Sequence, residues 1–245
     1  MNSEELLALH AETSYAFTDT GRIARVADPD RGPGPRFGVW GSADSNVALV
    51  RHDVGADTAS ALVDLAATES PLARSDSMPA HADRYVELLE AEAPVVDSGS
   101  GVCYWFPDDF THEHDVLLAT SDMPRAERER LGAGPDQVLP EPFVALGFST
   151  VGKLWEPWCF ALHDGEIASM VETVRLGPRG AEAGVNTVPT LRGRGFAAAA
   201  TAGWARSPSL AGRTLFYSTA TTNRSSQRVT ERLGLRFLGA SFSVM

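Results

Sequence analysis

Residues 188–206 read Val-Pro-Thr-Leu-Arg-Gly-Arg-Gly-Phe-Ala-Ala-Ala-Ala-Thr-Ala-Gly-Trp-Ala-Arg. The glycines at 193 and 195 predict a sharp turn, and the alanine-rich run predicts a helix that extends to about Arg206. A helix N-terminus presents unpaired N–H groups and a partial positive charge, and glycine lets a phosphate approach the backbone where a Cβ would block it. This stretch therefore predicts a phosphate-binding loop, which Arg192 and Arg194 supplement with charge-assisted hydrogen bonds.

Regular elements alternate on both sides of this loop. Before it, three antiparallel strands are predicted at 159–163, 167–174 and 182–188, with the first turn at Asp164-Gly165. After it, a strand at 214–218, a helix at 223–233 and a last strand at 236–244 are predicted. The pattern is typical of an α+β fold with a mixed, mostly antiparallel sheet flanked by helices.

Charge is distributed unevenly along the 245 residues. The chain has a formal net charge of -11, yet from residue 150 onward there are six acidic residues against eleven basic ones. No Asp or Glu occurs between residues 183 and 230, which contain six arginines. The overall charge argues against nucleic acid or an anionic membrane as a partner, whereas the basic segment favours a polyanionic ligand.

Three phosphate motifs can be compared with the loop. A P-loop is excluded because no Gly-Lys-Ser/Thr follows, and the Rossmann pattern lacks the acidic residue that would hold a ribose. The third pattern, Arg/Gln-x-x-Gly-x-Gly/Ala, is matched by Arg192, Gly195 and Ala197. With this motif, and with Asn223-Arg224-Ser225-Ser226 leading to Glu231-Arg232-Leu233-Gly234-Leu235, the chain resembles the GNAT superfamily of N-acetyltransferases over residues 150–245.

The resemblance implies a coenzyme A site. The pantetheine arm would lie along the backbone of Asn186, Thr187 and Val188, in a gap between that strand and the strand at 214–218. The diphosphate would bind the N–H groups of Arg192, Gly193, Arg194, Gly195, Phe196 and Ala197. Asn223 and Ser226 match positions that contact the cofactor, although Asn223 is equally suited to be a helix N-cap.

The resemblance is less complete for the catalytic groups. The family often has a Tyr acid seven residues after the Asn, where this chain has Thr230. Tyr217 is the nearby alternative, or it packs in the sheet. Glu182 matches the place of a general base, or is a strand-end carboxylate paired with an arginine, and Glu172 is the second candidate base.

The first half of the chain carries fewer signals. Helices at 57–67 and 81–92 and strands at 46–51 and 101–106 predict a smaller α+β domain over residues 1–145, which could be a degenerate second copy, ahead of a catalytic domain over residues 146–245. The pair Trp155 and Trp158 is expected to pack at the junction.

Other features are interpreted as structural. His112-Glu113-His114-Asp115 lacks a third ligand at a recognisable spacing and is interpreted as an acidic loop, so no metal site is predicted. Cys103 and Cys159 are expected to be buried thiols. The chain lacks a signal-peptide pattern and a long apolar run, so a cytoplasmic protein is expected.

The resemblance thus implies an enzyme that transfers an acetyl group from acetyl-CoA to the primary amine of a small molecule or a peptide. The Thr at position 230 keeps a second hypothesis open, a CoA-binding sensor or regulatory module without turnover. The acceptor and the oligomeric state are left open.

Overall fold

The computed structural model describes residues 1–245. The first half contains α1 (Ser3–Ser14), β1 (Tyr15–Phe17), β2 (Ile23–Val26), β3 (Phe37–Gly41), β4 (Asn46–Val50), α2 (Ala56–Ala66), α3 (Ala82–Glu90), β5 (Ser98–Trp105), β6 (Leu117–Thr120), α4 (Arg125–Arg130) and α5 (Glu141–Val144). The second half contains β7 (Cys159–His163), β8 (Glu166–Leu176), β9 (Gly180–Thr187), α6 (Phe196–Ala205), β10 (Thr214–Ala220), α7 (Arg224–Leu233) and β11 (Arg236–Val244). No helix combines the length and the apolar character that crossing a membrane requires.

Nine strands form one mixed sheet in the order β4-β3-β11-β5-β10-β9-β8-β7-β6. Only β9 and β10 pair in parallel, and every other neighbouring pair is antiparallel. The α+β class and the mostly antiparallel sheet flanked by helices, both predicted from the sequence, are confirmed.

The sheet is continuous across the predicted division at residue 145. Strand β5 of the first half lies between β10 and β11 of the second half, and β6 extends the other edge beside β7. Tyr217, for example, lies directly opposite Tyr104 in the β5–β10 register. Residues 1–145 therefore contribute strands to the same sheet as residues 146–245, which the pattern of local elements does not indicate.

Helices cover both faces of this sheet. Alternation along β10 sends Leu215 and Tyr217 into the core under α6, while Phe216 points to the other face and packs against Leu6 and Leu9 of α1. Helices α2 and α3 cover the β3–β11 end of the α6 face. The start of α6 and helix α1 therefore lie on opposite faces of the sheet at β10, with only the sheet between them.

Residues 131–154 are held on the sheet face opposite α6 by an aromatic cluster. Trp158 is 2% exposed and stacks on Phe160 with ring centroids 4.5 Å apart, and Phe143 and Leu139 belong to the same cluster of buried residues. Trp155 packs edge to face against Phe148. The two tryptophans thus have a packing role.

Candidate functional site

A gap opens in the sheet where β9 and β10 diverge. The two strands pair only from Gly180 opposite Thr214 to Glu182 opposite Phe216. Beyond that point β9 continues beside β8, and β10 continues beside β5 to Ala220. Because β9 and β10 form no backbone hydrogen bonds beyond this point, the edge of β9 that faces β10 is free to bind an extended ligand.

The residues that face this gap follow from the register of β8 and β9. Asn186 lies opposite Met170, and the Val188 N–H donates to the Ala168 carbonyl at 3.0 Å, so the backbone groups of both residues point toward β8. By alternation, the N–H and C=O groups of Val185 and Thr187 point into the gap. Of the three residues predicted to contact the pantetheine through their backbone, only Thr187 is oriented to do so, and Val185 is the second such residue.

The glycine loop lies at the mouth of this gap and has the conformation that its sequence predicts. Gly193 and Gly195 have φ values of +77° and +93°, which side chains with a Cβ rarely adopt. Gly195 is the N-cap of α6 and offers no side-chain cap to the helix. The N–H groups of the six residues 193–198 consequently have no acceptor within the protein.

A cleft of about 730 Å³ joins the gap, the loop and α7. The predicted residues that line it are Asn186, Thr187, Arg192, Gly193, Gly195, Phe196, Ala197, Tyr217, Asn223 and Ser226. The residues not singled out as its ligands are Val185, Leu191, Ala198, Ser225, Arg228, Val229 and Arg232. Val188 and Arg194 are not among the lining residues. The Arg194 guanidinium lies over the Phe196 ring, 5.3 Å from its centroid.

Three arginines give the cleft its positive charge. Arg192 comes from the loop, whereas Arg228 and Arg232 lie one helical turn apart on α7. None of the three forms an ion pair or a side-chain hydrogen bond within the protein. The Arg232 guanidinium lies close to Gly195, since its Nη1 would be only 2.9 Å from a Cβ atom placed on that glycine. Three unpaired cations beside six free N–H groups form a site for a polyanion.

The residues of the Asn-x-x-Ser motif have distinct roles. The Asn223 side chain accepts from the Ser226 N–H at 3.1 Å, so it is the N-cap of α7 and at the same time lines the cleft. The Ser226 hydroxyl is 2.7 Å from the Tyr217 hydroxyl. Thr230, by contrast, is buried, and its hydroxyl donates to the Gln227 carbonyl at 2.7 Å.

Tyr217 is suited to remain a proton donor. Its side chain is 2% exposed, and burial raises the pKa of its hydroxyl to about 12, although the hydrogen bond with Ser226 opposes this rise. The residue immediately follows the last paired position of β10, so it stands where the gap opens. The phenol is therefore protonated at neutral pH and placed on the cleft side of the sheet.

The two glutamates lie outside the cleft lining, on the face covered by α1 and residues 131–158. The Glu182 carboxylate approaches the His10 imidazole, with 3.9 Å between Oε2 and Nε2, and forms no arginine pair. Arg175, its neighbour across the strands, pairs instead with Asp28 at 3.3 Å. Glu172 is 3% exposed, and burial raises its pKa to about 7 against the opposing contact of the Trp155 N–H at 3.5 Å.

The remaining candidates from the sequence have structural environments. The His112 and His114 rings are 6.3 Å apart, and no group of three potential ligands surrounds them. Cys103 and Cys159 are buried free thiols, as expected, and burial raises the pKa of Cys159 to about 12. Neither thiol is poised as a nucleophile.

Comparison with known proteins gives similarity at the level of structure. No protein-family model matches the sequence, and no curated protein is similar to it in sequence. Similar solved structures include a GNAT-family protein from Novosphingobium aromaticivorans (19% identity, 61% of this chain, 65% of that chain, TM-score 0.45). A second is a GNAT-family acetyltransferase from Colwellia psychrerythraea (16% identity, 66% of this chain, 60% of that chain, TM-score 0.43). A third is a GCN5-related N-acetyltransferase-like protein from Streptococcus suis (14% identity, 100% of this chain, 100% of that chain, TM-score 0.45).

These neighbours belong to the superfamily that the two sequence motifs resemble. The matches span less than two thirds of the Novosphingobium and Colwellia proteins. At identities of 14–19% and TM-scores below 0.5, they carry no information on the reaction, the cofactor or the acceptor of this chain.

Proposed function

We propose that this protein is an N-acyltransferase that moves an acetyl group from acetyl-CoA to a primary amine. The single observation that supports this most strongly is the run of unpaired N–H groups at 193–198 beside a cleft that three unpaired arginines line. A diphosphate matches this site, because it offers several anionic oxygens to donors that otherwise have no partner. The cleft has the chemistry that a phosphate-bearing cofactor requires.

The rest of the cleft fits the remainder of coenzyme A. The free edge of β9 at Val185 and Thr187 can pair with the amide groups of an extended pantetheine arm, as an added strand would. Acetyl-CoA would supply a thioester, which is an activated acyl group. An acceptor amine would meet the thioester where β9 and β10 no longer pair, beyond Glu182 and Phe216.

The residues around the gap can manage the protons of such a reaction. Tyr217, held by Ser226, stays protonated and can donate a proton to a departing thiolate, whose ordinary pKa is about 8.5. An attacking amine must lose a proton, and Glu182 and Glu172 on the α1 face are the candidate bases. An excess of acidic residues before residue 150 also favours a cationic amine as acceptor, a small molecule or a peptide.

A non-catalytic CoA sensor is the second candidate. It is favoured by Thr230, which occupies the expected position of the acid and is buried with its hydroxyl bonded to the backbone. The position of Tyr217 at the gap weighs against it, because a sensor needs no proton donor there.

Turnover assays distinguish the two candidates. The protein would be mixed with acetyl-CoA and a panel of primary amines, including polyamines and peptide N-termini, while thiol release and acetylated product are followed by absorbance and mass spectrometry. The proposal predicts equal amounts of thiol and acetylated amine. CoA binding by calorimetry, with thiol release no faster than in the protein-free control for every amine, would support the sensor instead.

A further inference from the structure

A polar cluster formed by His10, Glu182 and Ser218 lies on the α1 face of the sheet, where the gap begins. Glu182 is the last residue of β9 that pairs with β10, and Ser218 is two residues beyond its partner Phe216. His10 comes from α1, in the part of the chain that carries no recognisable motif. The three residues are brought together although 172 positions separate His10 from Glu182 and 36 separate Glu182 from Ser218.

One nitrogen of His10 makes the polar contacts that join the three residues of this cluster. Its Nε2 lies 3.4 Å from the Ser218 hydroxyl, 3.5 Å from the Ser14 hydroxyl and 3.9 Å from Oε2 of Glu182. The ring is 5% exposed and packs edge to face on Phe216, with centroids 5.0 Å apart. Ser218 is an exposed residue beyond the last pairing of β10 with β9, and its hydroxyl contacts the buried imidazole.

The surroundings of His10 favour the neutral imidazole. Burial lowers its pKa most, Glu182 opposes this effect and Arg175 adds to it. Arg175 on β8 is itself paired with Asp28, and Glu12, the other acidic group at this end of α1, is paired with Arg179. Besides these charges only uncharged hydroxyl and thiol groups, those of Ser14, Tyr15, Ser218 and Cys103, are associated with the cluster. A neutral imidazole with Glu182 nearby can accept a proton, since the carboxylate stabilises the imidazolium that forms.

This arrangement distinguishes between the candidate bases. The hydroxyl of Ser218 contacts His10 and makes no hydrogen bond with Glu182, so a proton arriving at the gap through Ser218 reaches the imidazole first. Glu172 is hydrogen-bonded only to the Trp155 N–H and makes no contact with this cluster. Glu182 thus approaches the imidazole and not the Ser218 hydroxyl.

We infer that His10 is the proton acceptor for the amine, with Ser218 as the bridge and Glu182 as the charge partner. This inference rests on the acyl transfer proposed above. As the amine nitrogen bonds to the acyl carbon, its N–H bond breaks and the proton passes to the Ser218 oxygen, while Ser218 gives its own hydroxyl proton to Nε2. The imidazolium then returns the proton to Ser218 and solvent. The first helix of the chain is thereby part of the reaction centre.

The test compares His10→Gln and Ser218→Ala with wild type, and uses His52→Gln, at an exposed histidine beside β4, as the matched control. The measurements are kcat and KM for the amine between pH 5 and 9, CoA affinity by calorimetry, and the thermal midpoint. His10→Gln is expected to lower kcat by about 10²- to 10⁴-fold, the usual contribution of a general base, and to remove the acidic limb of the pH profile. Ser218→Ala is expected to lower kcat in the same direction, while CoA affinity remains that of wild type in both variants.

Two results overturn the inference alone: wild-type turnover with the acidic limb retained in His10→Gln, or an equal loss at every pH together with reduced CoA affinity. Ser218→Ala tests the bridge separately, because an exposed serine can be truncated without disturbing the core. An unchanged kcat in that variant contradicts the relay. Absence of turnover by wild-type protein with every amine overturns acyl transfer itself, and the inference with it.

Discussion

Glu172→Gln tests whether the buried carboxyl group of β8 is held in its neutral form. Burial raises its pKa from 4.5 to about 7, so between these values the folded protein binds a proton that the unfolded chain has released. A rise of about 2.5 pKa units corresponds to about 3 kcal/mol. This contribution to the free energy of unfolding is fully present below pH 4.5 and is lost as pH rises through 7.

The glutamine variant removes this titration and keeps an oxygen that can accept from the Trp155 N–H. Between pH 5 and pH 7 the wild-type protein is therefore expected to lose about 2 kcal/mol more stability than Glu172→Gln. Urea unfolding of both proteins at half-unit pH steps measures the difference. Burial also lowers the pKa of His10, but His10 is present in both proteins and its contribution cancels in the comparison.

The matched control for this experiment is Glu166→Gln, at the exposed first residue of the same strand. Its stability is expected to follow that of wild type across the whole range. If Glu172→Gln shows the same pH dependence as wild type, Glu172 is ionised in the folded protein at pH 5–7, and the argument from burial is wrong.

Three substitutions test the cleft. Arg228→Gln and Arg232→Gln are each expected to weaken CoA binding about 10- to 100-fold, the value of one charge-assisted hydrogen bond, and the loss should shrink as salt rises in the calorimetric titration. If either variant binds CoA with wild-type affinity, the arginine that it lacks does not contact the cofactor. Tyr217→Phe is expected to lower kcat about 100-fold with little change in CoA affinity, as steady-state kinetics and calorimetry can show. A wild-type kcat in this variant would mean that another group or solvent protonates the thiolate.

Local signals allowed much of the second half of the fold to be predicted from the sequence. The strand at 159–163 and the last strand at 236–244 have the predicted bounds, because Asp164-Gly165 ends the first and Gly234 precedes the second. The glycine loop was also predictable, since two closely spaced glycines between a strand and an alanine-rich segment leave few alternatives. Three other strands extend beyond their predicted bounds: β8 extends to Leu176, β10 extends to Ala220, and β9 begins at Gly180.

Long-range strand pairing is the main feature that the sequence did not reveal. The segments at 98–105 and 117–120 have no local feature that indicates their partner strands. The first pairs with β11 and the second with β7, both of which lie later in the chain. Helix α1 did have a local signal, because Asn2 and Glu5 form a capping box. Helix α1 carries His10, and because this helix was not predicted from the sequence, the polar cluster of His10, Glu182 and Ser218 was not predicted either.

The cleft itself was predicted in part. The loop residues and the Asn-x-x-Ser motif were identified because glycine and capping residues mark their positions. Arg228 and Arg232 could have been found from their spacing of four residues on a helix that begins beside the loop. The orientation of Val185 and Thr187 toward the gap depends on the register with β8, which no local pattern specifies.

Isothermal titration of CoA into the wild-type protein, Gly195→Val and Gly212→Ala tests the anion site most directly. Gly195 has φ of +93° and lies under Arg232, so valine there costs about 1 to 2 kcal/mol in the backbone alone and blocks the approach of a phosphate. Gly212 has a similar φ of +78° with open space around its Cβ position and lies outside the cleft, so it controls for backbone strain. We expect saturable binding to the wild type and to Gly212→Ala and none to Gly195→Val. No binding heat with wild type, or wild-type affinity in Gly195→Val, would contradict this expectation.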